Sequence, residues 1–367
     1  MPPAPSTADE SFQARILQGV SRTFALTIPT LPGGLDRAVA NAYLLCRIAD
    51  TIEDDAGLTL ADKRAYSEQF IAIVEGRSEA DSFARELAPR LAAHASAAER
   101  ELISGSAAVV RITHSLNDPQ RAALARCVRV MAQGMVFYQG QETLDGLSDQ
   151  AAMDRYCYFV AGVVGEMLTA LFCDYCRALG EREAELMQLA VSFGQGLQMT
   201  NILKDVWEDR ARGACWLPRD LFAARGITLS TLAPGRGGAA FADGLAHLVA
   251  IAHGHLRNAL RYTLLIPSSE PSIRRFCLWA LGMAVLTLRK LHSERDFAHG
   301  AAVKISRRAV KATVATTSVA VRSDRLLQCL FGLASLGLPQ QRIATPIASL
   351  AGIAGGRAAF EPHTTPY

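Results

Sequence analysis

Residues 38–55 read AVANAYLLCRIADTIEDD. The run is apolar apart from Arg47 until its end, ADTIEDD (Ala49–Asp55), which holds Asp50, Glu53, Asp54 and Asp55. Asp50 and Asp54 are four residues apart. On a helix they share a face, roughly 6 Å apart along the axis, with Glu53 beside them. Like charges at that spacing repel, and acids at a helix C-terminus also oppose the macrodipole. Arg47, one turn earlier, offers a single compensating charge. Taken alone, the segment reads first as a solvated helix end.

A second segment, QMTNILKDVWEDRARG (198–213), repeats the pattern with Asp205, Glu208 and Asp209. Asn201 precedes Asp205 by one turn, so Asn201, Asp205 and Asp209 form a stripe of oxygen ligands on one helix face. If the two acidic helices face each other across a bundle, their carboxylates converge. Oxygen donors without His or Cys suit a hard cation, Mg²⁺ above all, which keeps waters and prefers phosphate partners. The expectation is a diphosphate held through Mg²⁺ between two acidic walls. Arg22, Arg47, Lys204, Arg210 and Arg212 stand near enough in sequence to meet its phosphates. Behind the acids the chain is apolar, as in NAYLLCRIA and FVAGVVGEMLTALF. Ala161, Gly162 and Gly165 there either line a groove or let helices pack closely.

The chain has 367 residues, half of them apolar and a fifth charged, with a net charge of +3. That charge is too small to argue for nucleic acid or an anionic membrane. Helical periodicity runs through the whole length and convincing strand alternation is missing. Helices are expected at roughly 9–22, 35–54, 60–75, 79–93, 96–113, 118–141, 149–177, 181–210, 239–265, 270–295 and 304–336, the last one broken. The reading is one all-α helical domain over 11–340, with a disordered N-terminus over 1–10 and a loosely held tail over 341–367. Eight cysteines sit mostly in apolar helical patterns, which points to structural thiols in a reducing, cytoplasmic setting. MPPAPSTADES lacks an apolar signal core. LLQCLFGLASLGL (326–338) is short for a membrane span, so a packed helix is expected, with a membrane-surface contact as the lesser reading.

SRTF (21–24), YLLCRIADTIEDD (43–55), YCYFVAGVVGEM (156–167) and QMTNILKDVWEDRARGACWLP (198–218) together resemble the squalene/phytoene synthases. These are all-α class I prenyl transferases that join two isoprenoid diphosphates head to head. The resemblance runs from about 12 to 318. RRFCLWALGMAVLTLRKL (274–291) and VKISRRAV (303–310) resemble the squalene branch, which also reduces its cyclopropyl intermediate with NADPH.

The resemblance implies roles residue by residue. Asp50, Glu53 and Asp54 match the first metal motif. Asp205 and Asp209 match the second, with Asn201 and Glu208 alongside. Tyr156 matches a tyrosine assisting ionisation or proton transfer. Ser21, Arg22, Tyr43, Arg47, Gln198 and Lys204 match the diphosphate and nucleotide region, and Phe24, Phe276 and Cys277 match pocket positions. Lys304 matches a basic residue associated with NADPH. Ser306 stands where the branch has arginine, though Arg307 follows at once. Arg212 fits the R-G pattern of phytoene-type relatives and is expected to bind substrate. Implied partners are two molecules of farnesyl diphosphate, Mg²⁺ and NADPH. A monomer with a peripheral contact at the inner membrane face is the expected setting. The alternatives are a phytoene, dehydrosqualene or presqualene diphosphate synthase, a hydroxysqualene-forming enzyme, and a catalytically dead binder.

Overall fold

Ser6 opens the first helix, Thr7–Val20, with a capping box: its side chain accepts from the Asp9 amide and Asp9 reaches back to the Ser6 amide. The expected disordered 1–10 segment therefore gives way to ordered helix at Thr7. The computed structural model describes residues 5–21, 24–91 and 95–343. The expected tail, apart from residues 341–343, lies outside the described residues. Within them the chain is all helix and connection. An isolated bridge between Leu147 and Pro218 is the sole β-type pairing there.

The long helices fall where periodicity places them: Leu35–Asp54, Leu60–Val74, Asp118–Gln139, Gly238–Leu265 and Pro271–Ser293. Two helices expected to be continuous are interrupted, and the one expected to be broken is divided. The 96–113 segment divides at Gly105 into Ala97–Ser104 and Ser106–Ser115. The 181–210 segment divides into Glu183–Lys204 and Val206–Ala211, with Asp205 at the break (φ −99°, ψ 14°). The i→i−4 bonds continue through that break, from Asp205 N to Asn201 O (2.8 Å) and from Asp209 N to Asp205 O (2.9 Å). Asn201, Asp205 and Asp209 thus keep their helical register. The 304–336 segment becomes Arg307–Ala320 and Asp324–Ala334.

Gln150–Tyr175 forms one helical stretch with a π-helical turn at Tyr158–Gly162. The stretch has 26 residues, and its most apolar 18-residue window has a mean hydropathy of 1.6, long and apolar enough to cross a membrane by length and composition. Its packing gives a different reason for that composition. It lies between the Asp118–Gln139 and Glu183–Lys204 helices, and half of its most apolar window is buried inside the bundle.

The small residues in this stretch serve close packing. A Cβ on Gly165 would lie 2.4 Å from the Ala190 carbonyl oxygen, and one on Gly194 would lie 2.3 Å from that of Ala161. Any larger residue would force the two helices apart. The buried side chains form one main cluster, from Ile16 to Leu338. Leu278, Ala320, Val321 and Leu327 form a small satellite at the C-terminal end.

Candidate active site

The Leu35–Asp54 helix, the π-bulged Gln150–Tyr175 stretch, the Asp118–Gln139 helix and the second acidic helix surround a cavity of about 330 Å³, within the range of small-molecule sites. Asp50 and Glu53 line it, together with Tyr156, Gln198, Phe24, Tyr43 and Phe276. Val160, Val164, Met167 and Leu168, from the apolar FVAGVVGEMLTALF run, complete an apolar wall with Met131 and Met135, which the motifs did not indicate. Their signal in the sequence is the ordinary apolar face of two helices, indistinguishable from core until a hollow opens beside it.

The carboxylates at this cavity are short of positive charge. Burial raises the Asp50 carboxyl to about 7, against the pull of Arg47 and with a push from Asp54. Arg47 lies 3.8 Å from Asp50 and also pairs with Glu99. Burial, then Asp54 and Asp50, drive the Glu53 carboxyl far above the usual range. The backbone at this helix end is firmly held. Lys63 (2.5 Å) and Gln139 (2.7 Å) both donate to the Glu53 carbonyl, and Asp55 accepts from the Gly57 amide (2.8 Å).

The second acidic segment meets the first through Arg212. Its guanidinium lies 2.5 Å from Asp209 and 3.9 Å from Asp54. The two walls are therefore one arginine apart. Burial raises the Asp209 carboxyl, while Arg212 lowers it. Glu142, which the motifs missed, joins this group. Burial raises its carboxyl, Lys63 and Arg212 draw it down, and Asp54 and Asp209 push it up. Among the described residues, no three acid, His or Cys side chains close into a ready-made cation cage. The walls face each other across a gap.

Tyr156 stacks flat on Trp216, with ring centroids 4.1 Å apart and planes 6° apart, and meets Tyr138 edge-on at 5.1 Å. Trp216 thus fixes the ring that lines the cavity. Burial, with Glu53 as the next cause, holds the Tyr156 hydroxyl well above its ordinary pKa, so it stays protonated. Ser21 accepts from the Phe24 amide (2.9 Å), and Tyr43 donates to the Val20 carbonyl (3.1 Å). Phe24 packs between the Tyr43 and Phe276 rings, at 5.1 and 6.2 Å.

Other predicted residues stand apart from the cavity. Lys204 binds Asp205 (3.0 Å) and Asn201 (3.3 Å), forming a separate polar cluster. Glu208 accepts from the Gly300 amide (2.8 Å), which ties the short Gly300–Val303 helix to the second motif. A Cβ on Gly300 would come within 2.8 Å of the Lys204 carbonyl oxygen, so glycine is needed at this approach. Arg210 turns away to bind the carbonyls of Leu144, Ser230 and Leu232. Cys277 is buried in the core, off the cavity wall. Lys304 and Arg307 are exposed. Ser306, at the branch's arginine position, caps the Arg307–Ala320 helix by accepting from the Ala309 amide. Arg22 lies outside the described residues.

Residues 17–309 match the family description squalene/phytoene synthase. The chain is 29% identical to the squalene synthase of Eremothecium gossypii over 276 residues, 75% of this chain and 60% of that one. It is 28% identical to that of Schizosaccharomyces pombe over 77% of this chain and 59% of that one. The chain thus spans about three fifths of the length of these curated relatives. Among solved structures, TcSQS with a bound ligand superposes with a TM-score of 0.73 at 24% identity, over 92% of this chain and 94% of that one. A ligand-bound dehydrosqualene synthase superposes at 0.62 and 19%, over 86% and 97%. These likenesses give the fold, an isoprenoid-synthase helical bundle, and the match over 17–309 gives the kinship: the chain belongs to the squalene/phytoene synthase family.

Proposed function

We propose that the chain is a Mg²⁺-dependent squalene synthase. It would condense two farnesyl diphosphates head to head to presqualene diphosphate and reduce that to squalene with NADPH. One observation carries the reading: an apolar cavity whose polar end is made by Asp50 and Glu53, with Asp54 and Asp209 meeting across Arg212 beside it. The donor set is all oxygen, and Asp50 and Glu53 are half-buried with Arg47 as near partner, so the site suits hard cations. Asp50, Glu53, Asp54 and Asp209 would hold Mg²⁺, with Asp205 and Asn201, which pair with Lys204, as the further oxygen donors. Bound Mg²⁺ would neutralise the departing diphosphate, and bound NADPH would supply the closing hydride.

The chain's own groups do the rest. Arg212 and Arg47 would take phosphate oxygens once cations occupy the carboxylates. The methionine, valine and phenylalanine walls align two allylic chains, an orientation effect worth roughly 7–11 kcal/mol at best. They also keep water from the carbocation, which would otherwise end as an alcohol. Tyr156, held protonated, acts as a hydrogen-bond donor to the leaving diphosphate. The proton lost on cyclopropane closure then falls to the diphosphate. Lys304, exposed one residue beyond the helix that Glu208 anchors, is the candidate for nucleotide phosphate, with Arg307 next to it. An oily product makes a peripheral membrane contact useful.

A sister reaction stopping at presqualene diphosphate or dehydrosqualene is favoured by one observation, Ser306 serving as a helix cap where the squalene branch carries arginine. Incubation with farnesyl diphosphate and Mg²⁺, with and without NADPH, separates the two by product chromatography. Squalene formed only with NADPH is the expected outcome. Dehydrosqualene or presqualene diphosphate regardless of NADPH would overturn the reading, and so would hydroxysqualene.

A further inference from the structure

The Asp324–Ala334 helix is apolar on two faces. Leu327, Leu330, Phe331 and Ala334 point inward, onto a second apolar cavity of about 320 Å³ shared with the Pro271–Ser293 and Arg307–Ala320 helices. Leu326, Cys329 and Leu333 follow at i, i+3 and i+7, so they form a second stripe on the opposite side, and Leu336 lies in the turn just beyond the helix. That stripe is open: Leu326 is 53% exposed, Leu333 61% and Leu336 70%, and Cys329 is also exposed. Val319, at the end of the preceding helix, is 86% exposed. A surface helix normally shows water a polar face.

The charges around the stripe have one sign. From Arg307 to Ile343 the chain carries Arg307, Arg308, Lys311, Arg322, Arg325 and Arg342, all exposed, against Asp324 alone. Asp324 is spent on the buried Arg274, at 2.7 Å. Arg325 borders the outer stripe, and the pairing of Asp324 with Arg274 leaves that border without a free acid. Eleven residues are too few to span a bilayer. A helix with exposed leucines and bordering arginines, anchored to its own protein along the other side, fits the plane of a lipid interface.

We infer that the Asp324–Ala334 helix and the turn through Leu336 dock this chain flat on an anionic phospholipid bilayer, with Leu326, Leu333 and Leu336 in the lipid and the flanking arginines on headgroup phosphates. The inference specifies the membrane contact raised above and rests on that reading only for its use, the release of an oily product.

The test is co-sedimentation of the full chain, without substrate, with phosphatidylcholine vesicles and with vesicles containing phosphatidylglycerol. Binding is expected on the anionic vesicles, to weaken with salt, and to be slight on phosphatidylcholine alone. Leu326→Ser with Leu333→Ser should lower it tenfold or more. Arg308→Gln and Arg325→Gln should each lower it roughly fivefold. These side chains are exposed, so unchanged circular dichroism accompanies the loss. Equal binding to both vesicle types, or binding indifferent to the leucine pair, overturns the inference. So does a dimer that the leucine pair converts to monomer, which would assign the face to a second copy. Binding that appears only after residues 344–367 are removed also overturns it, since the chain's own segment would then cover the face. Turnover of farnesyl diphosphate is read separately, so failure of the proposed reaction and failure of docking are told apart.

Discussion

Arg212 shows how one side chain can hold an unfinished site together. It spans Asp54 and Asp209, yet its side chain is 65% exposed, so the pairs contribute at most about 1 kcal/mol to stability. Its value lies in where it sits. Arg212→Gln should leave the unfolding midpoint nearly unchanged. It should raise the KM for farnesyl diphosphate about tenfold, the loss of one charge-assisted hydrogen bond. Asp209→Asn should instead lower kcat/KM a hundredfold or more at fixed Mg²⁺, since it removes a cation ligand. Steady-state kinetics across a Mg²⁺ series checks both. An Arg212→Gln enzyme with wild-type KM would show that the guanidinium never meets the substrate.

At the scale of elements, the contact between the Glu183–Lys204 and Gly238–Leu265 helices contains a polar knot. The Ser192 hydroxyl lies 2.8 Å from His255 Nδ1 and accepts from Asn258 Nδ2 at 3.0 Å. Burial pushes His255 down to about 4, so the imidazole is neutral in the fold. Between that value and the ordinary 6.5, the unfolded chain holds a proton that the folded chain does not. Stability therefore rises with pH through this window and is lost as pH falls, by about 3 kcal/mol in all. His255→Gln, which keeps a hydrogen-bonding group beside Ser192, should remove that part of the acid slope. Urea midpoints at pH 7 and pH 4.5 provide the measurement, and equal slopes in the two proteins would contradict the assignment.

At the scale of the whole molecule, a buried cation helps tie the C-terminal helix pair to the bundle, alongside apolar packing. Arg274 donates to the carbonyls of Ile266 (2.7 Å), Val321 (3.1 Å) and Leu264 (3.4 Å) and pairs with Asp324 (2.7 Å). Arg274→Met would leave these buried carbonyls without their donor and should cost about 3 kcal/mol or more. Denaturant unfolding would show it, and a cost below about 1 kcal/mol would mean that other donors or water replace the guanidinium. The same loss should loosen the helix pair that carries the proposed lipid face.

The sequence by itself determined the helical class, most helix positions and the two acidic motifs, because 3.6-residue periodicity and four-residue carboxylate spacing are local quantities. AVANAYLLCRIADTIEDD and QMTNILKDVWEDRARG could be read without knowing what faced them. Tertiary structure alone decided the meeting of Asp54 with Asp209 across Arg212, the Trp216 support for Tyr156 and the arrival of Glu142. It also sent Glu208 to Gly300 and Arg210 to three carbonyls, and turned one apolar face of the Asp324–Ala334 helix outward. The reason is physical: a side chain's partner depends on the rotation and approach of helices far apart in the chain. Those are set by contacts such as Gly165 against Ala190 and Gly194 against Ala161, which no single segment encodes.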